Sequence, residues 1–144
     1  MAYASTADMV AEFGEPEMIR LSAPEGGLED AVVVEAVERA LEDASATIDG
    51  YLRTRYALPM PLPAPAEIAR AARVLARYDL ARGGQKSPSE SMAADRKEVM
   101  AWLGEIAAGR VKLALAEQAT GAADGEARVS DRPTMFTSGG GLGW

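Results

Sequence analysis

The sequence predicts an all-α fold: a small bundle of about five helices around one long central helix, then an extended C-terminal tail with room for a short strand. Three observations predict it. Apolar residues recur at alternating steps of three and four through residue 109, Ser, Pro and Gly stand where helices start and stop, and from Gly121 onward Ala, Gly, Ser and Thr dominate. The division expected from this is a helical domain over residues 1–115 and a tail over 116–144.

The first helix is signalled by Ser5-Thr6-Ala7-Asp8, a hydroxyl cap with a carboxylate three residues on. Met9, Val10 and Phe13 supply its apolar face and Gly14 its left-handed stop. Pro16 suits the first turn of a second short helix, 16–21, which runs into a Gly-rich loop. From about Leu28 to Tyr56 the pattern is the longest in the chain, with Val34, Val37, Leu41, Ala44, Ile48 and Tyr51 inward. Glu35, Arg39 and Asp43 on the opposite face stand four apart, as do Asp49 and Arg53, so ion pairs along the helix are expected. Gly50 inside it marks a place where another backbone could approach.

Pro59, Pro61, Pro63 and Pro65 then end the long helix and hold the connection extended, a stiff corner that lets the next helix fold back. The fourth helix covers about 66–82, with Ile68, Ala72 and Leu75 inward and Arg70, Arg73 and Arg77 on another stripe. The fifth opens at Ser87-Pro88-Ser89-Glu90, with Ser87 expected as the cap, and buries Met92, Val99, Leu103 and Ile106 before Gly109. Val111 to Leu115 reads as a short strand or a helical remnant.

Composition excludes several function classes. The chain has 144 residues, 48% of them hydrophobic, enough for a core, and neither cysteine nor histidine. Disulfides, ordinary zinc sites and Cys or His catalysis are therefore out of reach. No window approaches a membrane span, and a soluble protein made in the cytoplasm is expected. The net charge of −7 is unevenly spread: residues 1–50 carry two arginines against twelve carboxylates, and residues 51–112 carry eleven basic and six acidic side chains. Such segregation arises from fold geometry, or it brings acidic and basic faces of neighbouring copies together in a closing ring.

Motifs for chemistry are scarce. Gly83-Gly84-Gln85-Lys86-Ser87 lacks the glycines of a phosphate-binding loop, and Gly139-Gly140-Gly141 neither follows a strand nor opens a helix. The carboxylate pairs Glu42/Asp43 and Glu15/Glu17 are explained by solvation, although a small carboxylate-dependent enzyme stays as an alternative. The stripe Arg70, Arg73, Arg77 reads first as solvated helix surface, then as protein contact, then as a phosphate track for a DNA-binding regulator. Tyr51, Tyr56 and Tyr78 read as half-buried packing residues with a wet hydroxyl, yet Tyr and Arg are also the types enriched at interface hot spots. In the tail, Arg128, Arg132, Met135, Phe136, Leu142 and Trp144 either anchor to a partner or fold back on the chain's own helices. No cofactor and no metal is expected.

The order of several segments resembles a known family. Tyr3-Ala4-Ser5 with Asp8 and Phe13-Gly14, then Asp43-Ala44-Ser45, Ile48-Asp49-Gly50-Tyr51-Leu52 and Arg55-Tyr56-Ala57-Leu58-Pro59, resemble the Mu-like prophage head-completion family of tailed phages. Ile68-Ala69-Arg70, Ala76-Arg77-Tyr78-Asp79-Leu80 and Trp102-Leu103 with Ile106-Ala107 fit the same pattern. The resemblance covers residues 3 to about 115 and implies a helical head-tail connector, or adaptor, without catalysis. It implies a dodecameric ring in the virion neck, partnered by the portal protein and the next neck or tail protein, with phage DNA in the lumen and no membrane. Tyr51, Arg53, Arg55 and Tyr56 would then face a neighbouring subunit, together with Arg70, Arg73 and Arg77. The loop 22–29 and the tail around Arg132-Pro133-Thr134-Met135-Phe136 depart from the pattern.

Overall fold

A computed structural model describes residues 2–24, 27, 29–83 and 86–115. The first compact unit of the chain is Met1–Ala114. Its five helices are α1 (Thr6–Phe13), α2 (Glu15–Ser22), α3 (Val34–Leu52), α4 (Ala66–Ala81) and α5 (Glu90–Ala107), and the described residues contain no strand. The all-α fold expected from the periodicity is the fold observed.

The α3–α4 contact is the most extensive, α5 packs on both of these helices, and the short α1 and α2 pack on each other and on α3. Four alanines of α4, Ala71, Ala72, Ala76 and Ala81, are buried. Their short side chains let neighbouring backbones come close, which explains why so few aromatics suffice for this core. The inward residues Val37, Leu41, Ala44 and Ile48 of α3, Ile68, Ala72 and Leu75 of α4, and Met92, Val99, Leu103 and Ile106 of α5 are all buried.

α1 begins as its sequence requires: the Ser5 hydroxyl accepts the Asp8 N–H at 3.1 Å and the Asp8 carboxylate accepts the Ser5 N–H at 2.9 Å. Elsewhere local signals mislead. Ser89, not Ser87, caps α5, its hydroxyl accepting the Met92 N–H at 3.2 Å. Glu90 is therefore the first residue of the helix, and Pro88 precedes the cap.

α3 is shorter than its periodicity suggests. Its 19 residues span about 28 Å at about 1.5 Å per residue. At the N-terminal side the Ser22 hydroxyl captures the Val33 N–H at 2.9 Å, holding residues before Val34 to the end of α2. At the C-terminal side the Arg55 and Tyr56 N–H groups both reach the Leu52 carbonyl at 2.9 Å, a tight turn that directs Tyr56 inward and stops the helix. Val34 is 48% exposed and Tyr51 half-buried, so the buried stripe runs instead through Ala40, Ser45 and Leu52. The expected pairing of Asp49 with Arg53 does not form; Asp49 accepts the Tyr3 hydroxyl.

A methyl group at Gly50 would meet nothing within 4 Å, so no backbone approaches there. Gly50→Ala is accordingly expected to stabilise the protein by about 0.5–1 kcal/mol, through helix propensity alone. A rise in the urea midpoint with an unchanged slope would confirm it.

The proline corner leads from Tyr56 to Pro65, with the Leu58–Pro59 and Leu62–Pro63 bonds cis. Met60 is buried in it and Leu62 is exposed. Residues 111–115, expected as strand or helical remnant, are neither.

Candidate functional site: the exit corner of the bundle

The turn after α3 brings two candidate residues onto the end of α5. The Tyr56 side chain is buried, and its phenol oxygen accepts the Leu113 N–H at 2.9 Å. Arg55 stays at the surface, donating from Nε to the Ala107 carbonyl at 3.4 Å and from Nη2 to the Ala108 carbonyl at 3.3 Å. The last carbonyls of a helix lack partners within it and carry the negative end of its dipole, so a guanidinium is suited to this position. Gly109 has φ 84°, and a Cβ there would overlap the Arg55 guanidinium. Both the backbone conformation and the arginine therefore require glycine.

Arg110 forks back onto Glu105 with two hydrogen bonds of 2.8 Å. This bond holds the Glu105 carboxyl below its ordinary range and raises Arg110, in a pair that is open to water. Residues 107–113 thus leave α5 along a path set by the end of α3. The same helix end receives the other flank of the unit. Tyr3 donates its N–H to the buried Ser45 hydroxyl at 2.9 Å and its own hydroxyl to Asp49. Burial first, then the Asp49 carboxylate, pushes the Tyr3 phenol above its ordinary pKa.

The arginine stripe of α4 has a different fate. Arg73 pairs with Glu12 of α1, and Arg77 pairs with Glu17 of α2 at 2.6 Å while stacking over Phe13 at 4.4 Å from the ring centre. Their side chains are only 20% and 19% exposed. Arginines of the basic segment are thereby neutralised by carboxylates of the acidic one within a single chain, which accounts for part of the charge segregation. Arg70 is exposed, 3.7 Å from Glu98 of α5. The pair sits on a groove of about 660 Å³ between α4 and α5, where Trp102 and Val99 also lie.

At the other end of α4, Tyr78 is half-buried under Arg82 and Arg96. Lys86 donates to the Leu21 and Ala23 carbonyls at 2.8 and 2.9 Å, closing the end of α2. Burial raises the pKa of Asp79 nearby, and Asp43 adds to the rise, while Arg82 and Arg96 oppose it. A carboxyl whose folded pKa lies above its unfolded value carries a cost when ionised, and this cost fades as pH falls through the folded pKa toward the unfolded one. Asp79→Asn should therefore be slightly more stable than the native protein at pH 7, with the advantage shrinking toward pH 4. Melting temperatures across that range would test the sign. The effect is small because the Asp79 side chain is 36% exposed and screened by water.

Of the remaining candidates, Tyr51 is half-buried, and Arg53 is exposed with no partner among the described residues. Arg128, Arg132, Met135, Phe136, Leu142 and Trp144 lie outside the described residues. Sequence reasoning missed Tyr3, Ser45, Asp49 and Lys86 as tethers, and Glu12 and Glu17 as partners for the stripe. Only Gly109 carried a visible signal, as a helix stop. Among the described residues no group of three or more His, Cys, Asp or Glu could hold a metal ion. None of the described helices is long and apolar enough to cross a membrane.

Comparison with known proteins adds an independent finding. The model of the family described as "Bacteriophage Mu, Gp36" matches residues 3–131. The chain is 30% identical over 142 residues to "Gene product J" of Escherichia phage Mu, covering 95% of each chain. It is 34% identical over 104 residues to "Mu-like prophage FluMu protein gp36" of Haemophilus influenzae, covering 72% of this chain and 67% of that protein.

Proposed function

The chain belongs to the Bacteriophage Mu Gp36 family and is a Mu-like phage protein, and from that premise we propose that it is a structural component of the virion, a head-tail connector. On this reading copies form a ring under the portal, in the neck, and join the DNA-filled head to the tail. The protein performs no catalysis, and it is made in the host cytoplasm before assembly. Residues 1–115 are the connector body, and residues 116–144 are an arm that engages the portal or the next neck protein.

The observation that carries this reading is the exit corner. Tyr56 and Arg55 spend side chains of a kind favoured at interfaces on fixing where the chain leaves α5. A connector needs that: an arm gripping a neighbouring ring transmits position only if its base is held rigidly to the body. A second feature agrees with it. Along α3 the exposed charged side chains are mostly acidic, Glu35, Glu38, Glu42 and Asp43 against Arg39, and the exposed Arg53 follows just after its end. Opposite charge at the two ends of one helix suits heterologous contact between copies, which closes into a ring when the rotation allows. The DNA-binding alternative is weakened by Arg73 and Arg77, whose charges are already paired.

Light scattering of the purified protein, alone and mixed with a portal ring from the same phage, tests the proposal. A portal-bound complex that disappears when residues 116–144 are removed is the expected outcome. Failure of the intact chain to associate with portal or with the next neck protein would overturn it. Arg53→Glu is the cleanest probe of the body surface, since Arg55 also serves inside the chain. It should weaken assembly while leaving the melting temperature of the isolated protein unchanged.

A further inference from the structure

We infer that the groove between α4 and α5 is a docking surface for a second copy of this chain, and that it takes the Pro61-Leu62-Pro63 tip of that copy in a two-fold pair. Both halves of the contact are present on one molecule. Among the described residues the large hydrophobic side chains that stand exposed are Val34 and Leu62, and of these Leu62 alone has exposed apolar neighbours on both sides. It is 50% exposed, and the buried Met60 anchors the tip to the body. Proline fixes the backbone on either side, so little freedom is lost when the tip is covered.

The groove is the matching half. Its volume of about 660 Å³ lies in the range of pockets that enclose a group of this size, and Ala66, Ala71, Val99 and Trp102 give it an apolar lining. Tryptophan in such a place is a preferred anchor for an interface. The rim carries both signs: Glu67 is exposed with no partner among the described residues, and Arg70 and Glu98, with side chains 50% and 72% exposed, lie 3.7 Å apart. An ion pair so open to water holds little energy, so Arg70 can exchange Glu98 for Glu67 of the other copy.

Chain reach then decides the symmetry. Leu62 stands four residues before Ala66 of the groove, a span of at most about 14 Å, whereas a body near this size has a radius of gyration of about 13 Å and is more than twice as wide. Tip and groove therefore lie on the same side of the molecule. A head-to-tail ring needs its two surfaces on opposed sides, but a two-fold axis needs them together, so that each tip enters the other copy's groove. The pair is distinct from the ring of the connector reading, and it does not rest on that reading.

Sedimentation equilibrium of the full chain, without any other protein, tests it. The native protein should reach the mass of two chains and grow no further. Leu62→Asp should raise the dissociation constant about a hundredfold, because symmetry removes the buried leucine twice. Leu62 is exposed, so this variant should keep the native melting temperature. Ala66→Glu puts a carboxylate into the groove from an exposed first-turn position that suits acidic residues, and it should also give single chains. In Trp144→Phe the remaining tryptophan is Trp102, whose emission should move to longer wavelength on dilution as the groove is uncovered. A native chain that stays single at about 1 mM, where even weak contacts form, would overturn the inference and leave the groove to a different protein. So would growth past two chains, or a pair indifferent to Leu62→Asp or to Ala66→Glu. Portal binding is measured in a separate mixture, so the pair and the connector reading can each fail alone.

Discussion

Ile48→Ala should lower the unfolding free energy by about 3 kcal/mol, the usual cost of truncating a fully buried isoleucine. Ile48 is wholly inaccessible on the core face of α3, the helix on which α4 and α5 both pack. Truncation loses the transfer free energy of three carbons and leaves a void. The buried alanines of α4 cannot reach into that void, so it will stay largely open. Val34→Ala supplies the contrast. It lies on the same stripe by sequence spacing but is 48% exposed, and it should change stability by no more than about 0.5 kcal/mol. Urea unfolding of the two variants, compared at equal slope, measures both. Equal losses would mean that α3 continues inward past its first turn.

Gly109→Ala is expected to cost about 2 kcal/mol, about half from forcing a side chain into the left-handed region and the rest from expelling Arg55. A double-mutant cycle separates the parts. In an Arg55→Ala background the guanidinium is no longer in the way, and Gly109→Ala should then cost only about 1 kcal/mol. Additive losses would show that arginine and glycine act independently. Thermal melts suffice, because about 1 kcal/mol moves the midpoint of a domain of this size by roughly 4 °C.

These variants also show where local pattern stops being informative. The capping box at Ser5 was legible because all its atoms lie within four residues. The burial of Val37, Leu41, Ala44 and Ile48 was legible because a 3.6-residue period needs no knowledge of the partner helix. The length of α3 was not. Its ends are set by Ser22, 11 residues before Val33 in the chain, and by Tyr56, whose phenol meets Leu113, 57 residues further on. The stripe Arg70, Arg73, Arg77 looked like one surface, yet Arg73 and Arg77 face α1 and α2 while Arg70 faces α5.

By itself, then, the sequence determined the helical class, the order of the five helices, most of the core and membership of a phage protein family. Those properties follow from repeating spacings and short signals that act along one stretch of chain. Tertiary structure alone decided that Arg55, Tyr56 and Gly109 form the exit corner and that Arg73 and Arg77 of the basic segment pair with Glu12 and Glu17 of the acidic one. The physical reason is distance: Arg55 meets the end of α5 from 52 residues away, and Arg77 meets Glu17 across 60. Such contacts exist only after burial of the α3–α4–α5 core has brought the helices together.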